Sequence, residues 1–519
     1  MNAHSGGAAA ESARLRLLIA ACLALFGIFL DNTIVNVALP AIQADLSSAS
    51  DQLEWIVNSY VVVFAGLVLL GGKLGDRFGR HRLFSLGLLL FAAASSFGAL
   101  ASTDAALISA RALQGVGAAL LAPLSLSLLA TAFPRDKLPA ALGLWAGVSG
   151  LGLAVGPLVG GLLVEHAGWH AVFWINVPIA LGAAALVAPE LAGSRGDRRS
   201  RIDALGAVLV TVGLVAMVAG LVRGVHHAWT TGPTVALLSI AAALLAACVV
   251  QQRHSTAPLL PLSALRDGRF RAAIAVLVLA SFALLGTIWF LTLYLQNVAG
   301  YSAVAAGVRT LPLTMTTLFV APIAGKISAT RGPRPVLILG LFLTLLALSA
   351  LTQFHRNSPY GYLAGALATL GVGLAMVLPT CVSIVVDRVD PDEIGVISGA
   401  ATMARQIGGA LGLAVLATFG SRVATASFHQ SIAVPNTYDD LVTGGRVRLL
   451  GHLAGDQVQA AATNAFLHGF TTVMWAAAGA VALALVAALA LPSREPQPAD
   501  GTADQAGQPA STQPAASPG

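Results

Sequence analysis

Asp31 stands in the run IFLDNTIVNVALP, after fourteen residues (Leu17–Leu30) that carry no charge. A carboxylate near the middle of a membrane helix costs about 2.5–3.5 kcal/mol on insertion scales. Such a group persists where something offsets that cost or uses it. Arg111, in RALQGVG, poses the same question. If the first apolar run ends near Leu39, Asp31 lies roughly 12 Å from that end, and Arg111 lies roughly 10 Å past the start of its own run near Asp104, at 1.5 Å per residue. Equal depth allows the two to pair, directly or through water. Burial without a partner favours the protonated carboxyl, and an adjacent guanidinium favours the carboxylate. A site alternating between those surroundings takes up a proton on one side and releases it on the other. The plainer reading is a pair that only fixes packing.

Asp31 is the only acid deep in an apolar run. Asn32 and Asn36, about one helical turn apart, extend its polar face away from lipid. With Gln114 they are substrate-cavity candidates. Arg405, in ATMARQIGGALG, sits about eleven residues into its run, near mid-depth. It either binds an anionic or polar substrate group or counterbalances an acid elsewhere. Arg309 lies near an outer end and is read as snorkelling or structural. Trp55, Asn58, Tyr60, Trp289 and Tyr294 would complete an apolar, aromatic cavity suited to lipophilic or amphipathic compounds.

The elements that must position these groups are membrane helices. The 519 residues are 56% hydrophobic and 10% charged, against about 25% charged in soluble domains. That excludes a large soluble enzyme. The net charge of +6 gathers in short basic clusters between apolar runs, a pattern of loops rather than of a nucleic-acid surface. Cys22, Cys248 and Cys381 lie in apolar runs with no disulfide or metal spacing. A span needs about 20 mainly apolar residues. Fourteen are read, near 17–39, 53–72, 83–101, 105–126, 138–164, 169–189, 202–222, 233–252, 272–296, 303–324, 336–353, 361–385, 396–420 and 466–491. With the N-terminus inside, 21 Lys and Arg fall in inside segments, five in outside segments and three within spans. That asymmetry puts both ends in the cytoplasm. Residues 1–16 and 492–519 are expected as cytoplasmic tails, the second disordered. Residues 421–465 form the one long outside segment.

The chain also repeats. GKLGDRFGRHR from Gly72 answers GKISATRGPRP from Gly325, and GVGAALLAP (Gly115–Pro123) answers GVGLAMVLP (Gly371–Pro379). Each pair falls on the same part of a six-span unit. The predicted organisation is a half over 17–189, two additional spans over 202–252 and a second half over 272–491. Related halves around a midplane site are a transporter design. The basic loop carries Lys73, Arg77, Arg80 and Arg82 around one acid, Asp76, with Gly72, Gly75 and Gly79 between. It serves topology alone, or Asp76 acts as a gating latch by pairing with cations or a helix end. The second copy has Ala329 in place of Asp76. Gly152, Gly156 and Gly160 share one helical face, with Pro157 beside them, and admit a close helix neighbour.

LDNTIVNVALP, GKLGDRFGRHR, RALQGVG and GLAVGPLVGG, with FWINVP (Phe173–Pro178) and YLQNVAGYSAVAAGVRTLP (Tyr294–Pro312), resemble the motifs of the major facilitator superfamily. More narrowly they resemble its fourteen-helix drug:proton antiporter branch. The resemblance covers nearly the whole chain apart from the tails. It implies an all-α polytopic fold of two six-helix halves plus two inserted helices. It implies proton-coupled efflux of drug-like or antibiotic compounds across a bacterial inner membrane, with Asp31 and Arg111 as the proton-coupling pair. The loop around Asp76 would gate, and the Gly152–Gly160 motif is the one the family associates with antiport. The partners implied are protons, a drug-like solute and the bilayer, with the protein a monomer, no nucleic acid and no cofactor. The alternative is an uptake symporter of the same fold. No P-loop and no hydrolase or metalloprotease motif occurs.

Overall fold

The computed structural model describes residues 2–48, 50–134, 137–191, 203–227, 229–255, 266–355, 358–386, 394–432, 438–444 and 446–491. The expected tail 492–519 lies outside them, as do the loop cations Arg135, Arg195, Arg198, Arg199, Arg201, Arg388 and Arg494. The helices are α1 (Asn2–Leu46), α2 (Ser50–Phe78), α3 (Arg80–Ala99), α4 (Asp104–Ala132), α5 (Leu138–Ala167), the short α6 (Ala171–Trp174), α7 (Asn176–Val187), α8 (Ala204–His227), α9 (Gly232–His254), α10 (Gly268–Leu293), α11 (Ala303–Arg331), α12 (Pro333–Leu351), α13 (Tyr360–Val386), α14 (Ile394–Ser431), α15 (Asp439–Thr443), α16 (Val447–Ala454) and α17 (Asp456–Leu489). Thirteen spans among the described residues are long and apolar enough to cross a membrane. The predicted span 202–222 falls on α8, whose apolar part Leu205–Leu221 is shorter.

Local chemistry sets the ends. The Thr103 and Ser302 hydroxyls accept from the Ala106 and Ala305 amides, each at 3.2 Å, and the Asp267 carboxylate accepts from the Arg269 amide at 2.8 Å. These caps satisfy amides that have no partner within the helix. Gly79 (φ 100°) and Gly332 (φ 87°) stand at matching α2–α3 and α11–α12 junctions, in a backbone region that glycine enters without strain. The two copies of the repeat thus turn on the same device. Beyond residue 16, α1 covers the predicted span 17–39 and continues through Pro40 to Leu46. Before it, the Arg14 guanidinium donates to the Ala132 carbonyl at 3.0 Å and Arg16 pairs with Glu190 at 2.7 Å, tying that segment to the bundle.

Small residues carry the helix packing, as expected where lipid offers no hydrophobic drive. α5 lies along α11 and α2 along α14. On α5, Gly143, Gly147 and Gly161 face Ala321, Leu318 and Val304 of α11. At the end of the bundle carrying the basic loop, Gly72 is pressed on the Gly395 carbonyl and Gly325 on the Pro139 carbonyl. α8 and α9 pair with each other and cover the α2–α14 side. Leu69 and Val396 share a core with Val210, Leu214 and Cys248, and Gly66 abuts Thr211 and Val215. Asp203 ties the inserted pair at one end. Burial would push its carboxyl up, and the Gly206 amide with Gln251, Ser255 and Gln252 holds it below the ordinary carboxylate value instead.

The segment 421–465, predicted as an outside loop, is mostly helical. α14 runs on to Ser431 because Ala424 and Phe428 bury against Val442, Val447, Leu450 and Val458. His429 bonds Asp439 at 2.7 Å. The segment docks on the π-helical turn Tyr294–Val298 that ends α10. There Asn297 donates to the Gly444 carbonyl at 2.7 Å, and Arg448 donates to Ala299 at 2.9 Å.

Candidate proton-coupling site

α1 presents Asp31 and α4 presents Arg111 to one buried point. Asp31 is fully buried and Arg111 is 1% exposed. An Arg111 Nη1 donates to Asp31 Oδ2. The same nitrogen donates to Gln114 Oε1 at 2.8 Å, and Arg111 Nε donates to the Ile56 carbonyl of α2 at 3.1 Å. Asp31 Oδ1 accepts from Gln114 Nε2 at 3.1 Å and from Asn176 Nδ2 at 2.7 Å. Gln114 also donates to Ser95 Oγ of α3 at 2.7 Å. The Arg111 guanidinium stacks on the Tyr60 ring, 4.4 Å from its centroid, a contact of about 0.5–2 kcal/mol. Five helices, α1, α2, α3, α4 and α7, therefore meet in one cluster, and α4 and α7 supply the donors to the carboxylate. The arrangement holds an ion pair whose remaining valences are nearly met, the condition under which a buried pair survives desolvation.

Two groups in it were not assigned from the sequence. Asn176 lies inside FWINVP, a motif quoted for its resemblance alone. A lone amide in an apolar span is the same signal that singled out Asp31, and it marks Asn176 equally. Its position follows from a break between α6 and α7, which starts a new helix at Asn176. Ser95 had no such signal. The Tyr60 hydroxyl and Asn176 Oδ1 are buried and unbonded, so the cluster retains one free donor and one free acceptor. Asn176→Ala removes a charge-assisted bond worth about 1.5–3 kcal/mol. The variant should therefore unfold at a lower temperature than wild type in detergent. A thermal-unfolding scan checks this, and an unmoved midpoint would remove Asn176 from the site.

The other candidates scatter. Asn36 is exposed and donates to the Asn32 carbonyl on its own helix at 2.9 Å. Asn32 and Asn58 are half-buried, and Trp55 and Trp289 are exposed. Tyr294 packs edge-on against Phe354, with centroids 4.9 Å apart, in the turn beneath the outer segment. Arg405 is half-buried on α14. Gly152 and Gly156 face α1, not the other half. A Cβ on Gly152 would sit 2.6 Å from the Phe26 carbonyl oxygen and 3.1 Å from the Leu30 amide, and Gly156 lies against Thr33. Gly160 meets Ile34. The glycine face thus seats the turn of α1 that carries Asp31, with Pro157 inside α5.

In the basic loop, Asp76 Oδ1 accepts from Arg80 Nε at 2.9 Å. Its carboxylate lies against Gly395, the second residue of α14, beside the Val396 amide. Gly75 packs on Leu124. Lys73 adds a nearby positive charge. Arg77 lies 5.5 Å from the Phe78 ring centroid, and Arg82 is exposed.

Long apolar helices, repeated junctions and a buried ion pair at their centre define a polytopic membrane transporter rather than an enzyme. The chain belongs to the Major Facilitator Superfamily, whose family pattern matches residues 21–413. It is 35% identical over 510 residues to a tetracenomycin C resistance and export protein of Streptomyces glaucescens, covering 95% of this chain and 94% of that one. It is 34% identical to a puromycin resistance protein of Streptomyces alboniger, covering 93% and 92%. Among solved structures, the proton:xylose symporter XylE superposes with a TM-score of 0.61 at 15% identity, covering 92% of this chain and 95% of that one. That likeness concerns the fold alone.

Proposed function

We propose that this protein exports drug-like small molecules from a bacterial cell by alternating access, driven by proton entry across the inner membrane. The observation that carries the reading is the buried Asp31–Arg111 pair, a titratable carboxylate held at the centre of a transporter fold. Antibiotic resistance and export relatives support the direction. In the cycle, a proton arriving from outside neutralises Asp31 and frees Arg111, Gln114 and Asn176 from it. The rearranged cluster shifts the balance between two packings of the halves, and release of the proton inside restores the pair. The halves are 17–189 and 272–491, with 202–252 inserted, and the protein works as a monomer with both termini in the cytoplasm. Asp76 latches the cytoplasmic end by facing the first amides of α14, where a helix N-terminus favours negative charge. Ala329 in the second copy makes that latch one-sided.

The test uses everted membrane vesicles with a panel of fluorescent drug-like dyes added to the external medium. Energised vesicles should accumulate dye and acidify less, and a protonophore should abolish accumulation. Accumulation by right-side-out vesicles in place of everted ones would instead establish the uptake symporter.

A further inference from the structure

Arg405 stands eleven residues beyond the first residue of α14, about 16 Å along the helix at 1.5 Å per residue. With the basic-loop end of α14, where Gly72 meets Gly395, taken as the cytoplasmic edge of a hydrocarbon core about 30 Å thick, this is close to the midplane. At that level α14 is wedged between the halves. A Cβ on Gly399 would lie 3.4 Å from Leu69 Cα of α2, and Gly408 and Gly412 are pressed on the backbone of Val278 and Phe282 of α10. Arg405 is half-buried and makes no hydrogen bond, ion pair or ring contact among the described residues. Gln406 beside it is also half-buried and also without such a partner.

The sequence left two uses for this cation, and the structure removes one of them. Asp31 is already occupied by Arg111, Gln114 and Asn176. Asp76 is bonded to Arg80 and lies against Gly395, ten residues or roughly 15 Å down the helix. No acid among the described residues counterbalances Arg405. A cation at this depth faces a protein interior or a water-filled path, and a half-buried head has room to meet a solute there. We infer that Arg405, with Gln406 beside it, is a subsite for an anionic group on the transported compound: a carboxylate or phenolate on a lipophilic body. The guanidinium fork takes such a group through two parallel hydrogen bonds, and the Gln406 amide supplies one more donor. This deepens the export reading and rests on it.

The experiment measures equilibrium binding to the full-length purified protein in detergent, with no proton gradient. The probes are 1-pyrenebutyrate, its methyl ester and ethidium. Wild type should bind the acid more tightly than the ester or ethidium. Arg405→Gln should weaken the acid about tenfold or more and change the other two less than about twofold, with Arg405→Lys intermediate. Equal loss of all three probes, no loss of the acid, or a wild-type preference for ester or ethidium would each overturn the subsite. Should Arg405→Gln not fold, phenylglyoxal labelling of wild-type Arg405, read on its own peptide, decides the matter. Protection by the acid alone supports the subsite, and protection by neither or by both overturns it. Binding is read without a gradient on wild-type protein, so loss of the preference for the acid overturns the subsite alone, whereas failure of gradient-driven dye accumulation in everted vesicles overturns the export reading.

Discussion

Asp31→Asn should lower proton-driven efflux by about a hundredfold or more, equivalent to about 2.7 kcal/mol or more in the rate-limiting step. Exchange of unlabelled for labelled substrate without a gradient should persist. The amide has the shape of the carboxylate and can still accept from Asn176 or Gln114, but it takes up no proton. It also leaves Arg111 buried without a counter-charge. Breaking a buried pair in this way costs about 3–5 kcal/mol, a large part of a typical stability of about 5–15 kcal/mol. Loss of folding must therefore be separated from loss of coupling. The double variant Asp31→Asn with Arg111→Gln removes both charges and should recover thermal stability in detergent without recovering coupled efflux. If the double variant regained coupled efflux, the pair would be a packing device and the proposed mechanism would fall.

The second large effect concerns a residue that bears no chemistry. Gly152→Val should reduce transport to about a tenth or less at normal protein levels, since small displacements at a site carry penalties of this order. The obstruction is backbone: the Phe26 carbonyl oxygen and Leu30 amide of α1 occupy the space a side chain would need. A flexible side chain could give way, but a helix backbone must move as a body, and Asp31 is one residue past Leu30. Gly182→Val is the control, because nothing lies within 4 Å of that position. Full transport by Gly152→Val, with the protein correctly inserted, would show that α1 has freedom the packing denies.

The fold was legible because lipid imposes one simple rule on the chain. Runs of about 20 apolar residues punctuated by basic clusters placed the helices, and paired Gly and Pro positions exposed the repeat. The depth of Asp31 and Arg111 followed from rise per residue, and the structure joins them. What stayed hidden depended on rotation and on breaks. Asn32 and Asn36 lie beside Asp31 in the chain, yet the carboxylate is bonded by Asn176, far away in sequence. Nothing in periodicity announces the α6–α7 break that aims Asn176. The helical outer segment was read as loop because its apolar residues are sparse, enough for a small core with α14 and α17 but too few for a span. The glycine motif announced close packing without saying against what, and the answer, α1, links it to the carboxylate.

The buried pair also has an electrical consequence. With Asp31 ionised the pair is neutral, so a change of access around it moves no net charge through the membrane field. With Asp31 protonated, Arg111 leaves one positive charge at the site. Each charge moved through the whole field contributes about 2.3 kcal/mol per 100 mV. Under the proposed cycle, the proton-loaded pair therefore feels the voltage, and an interior-negative potential drives that form in the direction that releases its proton to the cytoplasm. The ionised pair returns without adding a charge that opposes the field. In that cycle the salt bridge acts as a rectifier, its own contribution voltage-driven on one limb and voltage-silent on the other.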